Sequence, residues 1–406
     1  KQVALKRHNT ESKTAVRASN VELYSREITV SESSSIKRYI RDTDDLFPLR
    51  IEKIINASPT ARRCANLMAK YIVGNGNSEN YFVNKRKRKT INDILRASSA
   101  SIAKQYGVYF KLSYEVDVDA TMAASDNRPR FKIKDVDVLD YVKMAKSKED
   151  DNAYPGIYYQ LKYDEGDSIN EEESAKTWFY PFSTNSKVIL KQMLNDCKIK
   201  EIENPTIEQL IENHRSQVYY LNLTPEYIYA LPLADSVYND CDTEYRISTY
   251  NNTQTRTGFL GKTVIVKYAD DEEQDEDFND ELKEFLGSEN AANAFVVEVP
   301  QSIDGDLEKA FVVKQLKPQF DDKLFESTIK NLRQNIMGAF NNIPEALVFA
   351  GSGALFGTSA EAYNQMKIFY WEQNEYERSS LEQTLRMFGF NVNILPIVKE
   401  QQNGLW

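Results

Sequence analysis

Between Gln319 and Phe388 two helical repeats flank a stretch of small residues. Any fold for this chain must therefore accommodate a long helix, a turn and a second long helix in succession. In the first half, Phe320, Leu324, Thr328, Leu332, Ile336 and Phe340 recur every four residues, on one stripe of an amphipathic helix. Lys323, Glu326, Lys330, Asn331 and Gln334 fall off that stripe. The helix is expected to stop at Asn341-Asn342-Ile343-Pro344, because a residue before proline is pushed out of the α region. Glu345 to Gly357 is then apolar apart from Glu345 and Ser352, and Gly351, Gly353 and Gly357 permit unusual dihedrals. Thr358 and Glu361 form a capping box for the second helix, with Ala362, Tyr363, Met366, Phe369 and Tyr370 inward. A polar waist from Glu372 to Glu377 precedes Leu381, Leu385 and Phe388, and Gly389 closes the helix.

A chain of 406 residues can bury a substantial core and is long for one domain. Apolar residues make up 41% and mean hydropathy is −0.57, the balance of a globular chain in water. No apolar run approaches the roughly eighteen residues a membrane helix needs, so no membrane partner is expected. The chain opens on Lys1 without a secretory signal, and the expectation is that the natural N-terminus lies upstream. Cys64, Cys197 and Cys241 lie far apart in no metal-binding pattern, which predicts buried thiols, a reducing compartment, no metal and no cofactor. His8 and His214 are the only histidines, and neither sits in a Cys/His or Ser/His/Asp motif, so no enzymatic activity is expected. A net charge of −10 means that nucleic acid is not drawn by overall attraction.

Lys1 to Asp45 is polar and reads as an arm, helical from Ser34 to Asp45, that orders only on a neighbour. Ser58 and Pro59 open a helix with Ala61, Cys64, Ala65, Met68 and Ile72 on one face and Gly74 at its end. Lys85, Arg86, Lys87, Arg88 and Lys89 form the strongest basic run: either a solvated loop, or a contact for phosphate or capsid protein. A helix from Thr90 to Tyr106, closed by Gly107, leads into strands at Val108–Tyr114, Phe131–Val142, Ile157–Tyr163 and Lys176–Pro181. Short helices at Lys187–Leu194 and Thr206–Glu212 precede a strand at Val218–Leu223. A further helix starts at Leu233, with Val237, Cys241, Tyr245 and Thr249 at i, i+4 spacing. Strands follow at Thr263–Tyr268, Phe295–Val299 and Phe311–Leu316, with a helix near Phe278–Leu286. Asp270 to Glu281 carries nine acids in twelve residues, the pattern of a solvated linker and helix start. Asn391 to Val398 reads as a closing strand.

The run Asn-Asn-Ile-Pro-Glu-Ala-Leu at Asn341, a Gly/Ser-rich loop, and Gly-Thr-Ser-Ala-Glu-Ala-Tyr-Asn-Gln opening a long helix at Gly357 resemble the portal proteins of tailed bacteriophages. Ser-Pro-Thr-Ala-Arg-Arg-Cys-Ala-Asn-Leu-Met-Ala at Ser58 is similar to a helix near that family's N-terminus. Tyr-Ala-Leu-Pro-Leu-Ala-Asp-Ser-Val-Tyr-Asn at Tyr229, with the Asn-rich turn after it, is similar to the family's first stem helix. The resemblance runs from about Leu46 to Phe388.

The resemblance implies an α+β portal fold: an N-terminal arm (1–45), a mixed α/β wing (46–232), a first stem helix (233–254), a small α/β clip (255–318), a second stem helix (319–342), a tunnel loop (343–358), and a long backing helix with a C-terminal segment (359–406). The crown is short or absent. It further implies a homo-dodecameric ring at one vertex of the virion capsid, assembled in the host cytoplasm. Its partners would be double-stranded DNA in the channel, the terminase packaging motor, a head–tail adaptor and the major capsid protein. Gly351, Ser352, Gly353 and Ala354 would face DNA. Asp235, Asp242 and Glu244 would line the lumen and repel phosphates. Asp270, Asp271, Glu272, Glu273, Asp275, Glu276 and Asp277 would dock the motor or adaptor.

A phage DNA-processing enzyme, such as a nuclease or helicase accessory, is the alternative. The loop Gly351 to Ser359 has no lysine and no preceding glycine at phosphate-loop spacing, so nucleotide binding is not expected. The carboxylates form no paired-acid signature separable from surface charge. The catalytic inventory thus favours the ring.

Overall fold

Asp45 takes a left-handed backbone, φ +60°, and turns its carboxylate back into the protein. There it accepts from the Arg41 backbone N–H and Nε, at 3.1 and 2.7 Å, and from Arg38. All three side chains are buried, which corrects the expectation of a helical arm ordered only by a neighbour. The segment is a β-hairpin, β1 (Ile28–Glu32) with β2 (Lys37–Arg41), and β2 bridges onward to Ser147. Charges fit inside because each is bonded to an opposite one. The computed structural model describes residues 28–32, 36–124, 128–148, 156–164, 168–256, 262–269, 294–300, 311–316, 322–349 and 360–397.

Three helices build the body. α1 (Phe47–Ala57) leads to α2 (Pro59–Val73), where the Ser58 side chain accepts from Ala61 N–H and Gly74 ends the helix at φ +57°. A Cβ on Gly74 would lie 2.3 Å from the Leu395 carbonyl oxygen, so only glycine fits. Lys85 to Arg88 of the basic run form the turn between β3 (Phe82–Asn84) and β4 (Lys89–Thr90), and Lys89 opens β4. α3 (Ile91–Gln105) starts at a reciprocal capping box of Thr90 and Asp93 and ends at Tyr106, φ +57°. Tyr106, not Gly107, therefore closes this helix. Gly107 begins the next strand, where a Cβ would stand 3.0 Å from Ala230 Cβ and 3.1 Å from the Tyr141 and Tyr220 rings.

From β5 (Gly107–Val116) the chain passes through α4 (Val118–Met122), β6 (Phe131–Leu139), β7 (Met144–Lys146), β8 (Tyr158–Gln160), β9 (Lys162–Tyr163), β10 (Ile169–Asn170), α5 (Glu171–Lys176), β11 (Trp178–Pro181), α6 (Ser186–Ile199), α7 (Ile207–Asn213) and β12 (Gln217–Asn222). Six strands form one sheet in the order β6-β5-β12-β11-β8-β7, antiparallel except for β11 with β12. The period-two alternation of β5 divides the core. Val108, Phe110, Leu112 and Tyr114 join the helices α1 to α3, while Tyr109 joins Tyr141, Met144, Phe179 and Val218 on the opposite face.

After a 3-10 turn at Leu233–Asp235 comes α8 (Tyr238–Arg256). Three strands follow, β13 (Lys262–Ala269), β14 (Ala294–Pro300) and β15 (Phe311–Leu316), in the order β14-β13-β15 with β13 parallel to β14 and antiparallel to β15. Then come α9 (Asp322–Ala339), α10 (Glu345–Val348), α11 (Ala360–Gln373) and α12 (Glu375–Met387). Leu332, Ile336 and Phe340 are buried as their spacing requires. Asn341 and Asn342 take left-handed dihedrals, so the N–H groups of Asn342 and Ile343 reach back to Gly338 and Met337 carbonyls. The expected single long helix breaks at Asn374 within the polar waist. The buried Asn374 side chain donates to the Tyr370 carbonyl, a bond that competes with helix continuation. Two stripe residues turn outward: Tyr245 is 44% exposed and Phe369 45%. The expected closing strand is one bridge, Asn77 to Ile394, with Leu395 bonded to Asn75 and Gly76. The expected helix near Phe278–Leu286 and the Thr358 cap lie outside the described residues. Mixed α and β structure puts the chain in the α+β class.

Candidate functional site

The feature that ties the two expected stem helices to the body is the carboxylate of Glu244 on α8. The N–H groups in the first turn of α2, after Pro59, have no helical partners, as at any helix start. Glu244 supplies the acceptor. It receives the Ser58 hydroxyl at 2.5 Å, the Thr60 hydroxyl at 2.6 Å and Thr60 N–H at 3.1 Å, while Ser58 Oγ accepts from Ala61 N–H. A negative charge at a helix N-terminus also meets the positive end of its dipole. From α9, Arg333 Nε stands 4.0 Å from the same carboxylate. Asn335 on α9 reaches Asp240 on α8 at 3.5 Å. Residue numbers fall along α9 as they rise along α8, so the two helices are antiparallel neighbours.

Arg333 has a second role. Its guanidinium lies 4.9 Å from the centre of the Phe349 ring, and Arg63 of α2 lies 5.3 Å from that ring. Two cations from two helices thus hold one aromatic ring, each contact worth about 0.5–1 kcal/mol at a partly exposed site. Phe349 follows α10, and its N–H is bonded to the Glu345 carbonyl. The segment expected to face DNA follows this clamp directly in the sequence. Asn341 fixes the other side of the turn: its side-chain amide donates to Glu377 at 2.9 Å and Asn374 at 3.2 Å.

The expected site residues are distributed unevenly around this centre. Gly351, Ser352, Gly353 and Ala354, and Asp270, Asp271, Glu272, Glu273, Asp275, Glu276 and Asp277, lie outside the described residues. Of the three acids expected to repel DNA, Asp242 is on α8 and accepts from Arg246 at 2.7 Å. Asp235 and Glu244 are buried instead, 6% and 8% exposed, and Glu244 is committed to α2. The α-helical rotation explains the correction: Glu244 faces the start of α2, where the Ser58 and Thr60 donors take up its carboxylate. In the basic run, Lys87 and Lys89 both pair with Asp137, Lys89 at 2.5 Å, and Lys85 N–H donates to Asp135. Lys85, Arg86, Lys87 and Arg88 remain exposed.

Glu244 and Phe349 were not found as anchors from the sequence. Their partners are distant in the chain, and the one local signal was the Ser-Pro start of α2. Burial pushes the Cys64 and Cys241 thiols up to about 12, which keeps them protonated and unreactive at neutral pH. His214, beside Tyr180 and Tyr114, is pushed down to about 4, first by burial and then by the charge of Lys111. Its Nε2 has no hydrogen-bond partner among the described residues.

No family model matches the chain, and no curated protein matches it. Three solved structures are similar to it. A chain from the neck of an empty GTA particle computed with C6 symmetry has 12% identity and a TM-score of 0.45, with 84% of this chain and 80% of that one covered. A chain from the neck of a native GTA particle computed with C12 symmetry has 13% identity and a TM-score of 0.40, over 84% and 80%. A chain from the virion of a native gene transfer agent particle has 12% identity and a TM-score of 0.40, over 85% and 91%. TM-scores under 0.5 do not by themselves assign a fold.

Proposed function

We propose that this chain is the subunit of a phage-type portal: a closed ring at one capsid vertex that threads double-stranded DNA and docks the packaging motor and tail adaptor. One observation carries this reading. The antiparallel α8 and α9, rooted in the body by Glu244 and Arg333, bracket a separate three-stranded sheet in the sequence and lead through the Phe349 clamp into the segment 350–359. That succession is the one the portal resemblance implies for stem, clip, stem and tunnel loop. In this reading α8 and α9 line the channel and segment 350–359 narrows it. The acids at 270–277 meet the motor or adaptor. A sliding channel works best with few fixed phosphate contacts, since each Lys or Arg contact adds salt-sensitive affinity at one place. Asp242 on α8 is compatible with such a lining.

Electron microscopy of the purified chain tests the proposal. Closed rings with an axial channel, twelve-fold in the expected case, support it. Monomers alone at every protein and salt concentration overturn it.

A further inference from the structure

A groove of about 200 Å3 runs between residues 128–130 and the start of α6. Arg128, Arg130, Lys187 and Lys191 line it together with Leu190 and Leu194. Lys187 and Lys191 are exposed one turn apart, and Leu194 is 45% exposed beside them. Lys187 lies in the first turn of α6, where a cation opposes the helix dipole, so local helix stability does not account for it. The neighbouring α4, with Asp117 and Asp119, is tied to the same segment by Arg130 N–H donating to Thr121 Oγ1 at 2.8 Å. It presents Met122 at 81% exposure. The groove lining therefore mixes four cations with apolar side chains.

The complementary surface lies at the junction of α11 and α12. Phe369 and Tyr376, 45% and 53% exposed, flank the exposed Glu372 and Glu375. Phe369 and Glu372 are i, i+3 neighbours on α11, and Glu375 and Tyr376 open α12 just after the break at Asn374. Glu372 falls in the last turn of α11, where a negative charge again opposes the dipole.

We infer that these two surfaces meet between copies of this chain: the acidic, aromatic corner of one copy seats in the basic groove of the next. The charges lining the groove are all cations, beside the exposed Leu194, and the corner carries the exposed Glu372 and Glu375 beside Phe369 and Tyr376, so the two surfaces are opposite in sign. Neither surface complements itself, so the contact is heterologous and repeats into a ring or a filament rather than a two-fold dimer. The inference rests on the proposed ring and names the surfaces that would close it.

Charge reversal with rescue tests the pairing, with mass photometry of the full chain across protein and salt concentrations. All four positions are exposed, and far-UV circular dichroism checks that each variant folds. Lys187→Glu with Lys191→Glu, and separately Glu372→Lys with Glu375→Lys, are each expected to raise the concentration needed for assembly by at least about tenfold. The quadruple variant, with both charges exchanged, is expected to return to within about threefold of wild type. Assembly of the double variants like wild type, or a quadruple no better than either double, overturns the pairing while the ring reading stands. Double variants that assemble normally but lose duplex DNA binding overturn it too, in favour of a phosphate contact. A wild type that stays monomeric throughout removes the ring itself, and this contact with it.

Discussion

Glu244 and Thr60 are joined twice: the backbone N–H and the hydroxyl of Thr60 both donate to the Glu244 carboxylate, at 3.1 and 2.6 Å. With Ser58 this makes three donors on one buried carboxylate. Replacing Glu244 with Gln turns one acceptor oxygen into a donor that faces donors. Charge-assisted bonds of this kind are worth about 1.5–3 kcal/mol each, and their losses are not additive. Glu244→Gln is expected to cost about 2–4 kcal/mol in denaturant unfolding, whereas Asp242→Asn, half-buried on the same helix and paired only with the exposed Arg246, should cost under about 1 kcal/mol.

The Phe349 clamp depends on a π-face. Phe349→Leu keeps most of the apolar volume but gives the Arg63 and Arg333 guanidiniums nothing to stack on. We expect a local destabilisation of about 1 kcal/mol, read as faster hydrogen exchange over 345–349 with the global unfolding midpoint little changed. Unchanged exchange would show that the two arginines do not hold the ring.

Asn341 and Asn342 share a left-handed backbone but not a role. Asn342→Gly relieves the backbone cost and is expected to be neutral or stabilising by a few tenths of a kcal/mol, on the order of 0.5. Asn341→Gly also loses the amide bonds to Glu377 and Asn374 and is expected to cost about 1–3 kcal/mol. Equal effects in thermal unfolding would refute this division.

His214 makes stability depend on pH. Its folded value of about 4 lies below the ordinary 6.5, so between these values the unfolded chain binds the proton and the folded chain does not. The contribution is complete above pH 6.5 and is lost as pH falls toward 4, with a slope of at most about 1.4 kcal/mol per pH unit. Nearby Asp196, raised mainly by burial, acts in the opposite sense. His214→Phe retains an aromatic ring beside Tyr180 and is expected to flatten the profile relative to wild type. Parallel profiles from pH 7 to 4 would rule the effect out.

The proposed tunnel loop carries no cation, and Glu345 is its one charge. Ser352→Lys adds one positive charge per subunit. If Gly351 to Ala354 face DNA, particles should assemble, package slowly at low salt and recover partly at higher salt. Packaging at the normal rate in low salt would remove the loop from the channel wall.

Local rules made part of this molecule readable. Ser58, Pro59 and Gly74 mark both ends of α2 because capping is a matter of adjacent residues. The four-residue spacing of Leu332, Ile336 and Phe340 reports their burial for the same reason. The hairpin at residues 28–41 was not legible. Its polar composition suits solvent as well as a buried ion cluster, and Arg38, Arg41 and Asp45 are recognisable as a unit only once the turn has folded. The break at Asn374 was equally hidden, since one side-chain bond to Tyr370 decides it. Around the candidate site the helices could be read from periodicity, whereas their rotation could not, and that rotation turns Glu244 inward and Tyr245 outward.

The partners of Glu244 at the start of α2 lie up to 186 residues away in sequence, and the Asn75 side chain donates to the Pro396 carbonyl across 321 residues. Both links set an order in time. At roughly 5–20 residues per second, about 10–40 s separate the synthesis of Ser58 from that of Glu244. Over that interval the first turn of α2 has no carboxylate to receive its donors. The loop after α2 then waits for the last described segment of the chain. Long-range closures of this kind slow folding because the loop entropy is spent before the contact forms. The fold around α2 is therefore expected to close only after Pro396 has left the ribosome, so its earliest helices spend most of synthesis without their final partners.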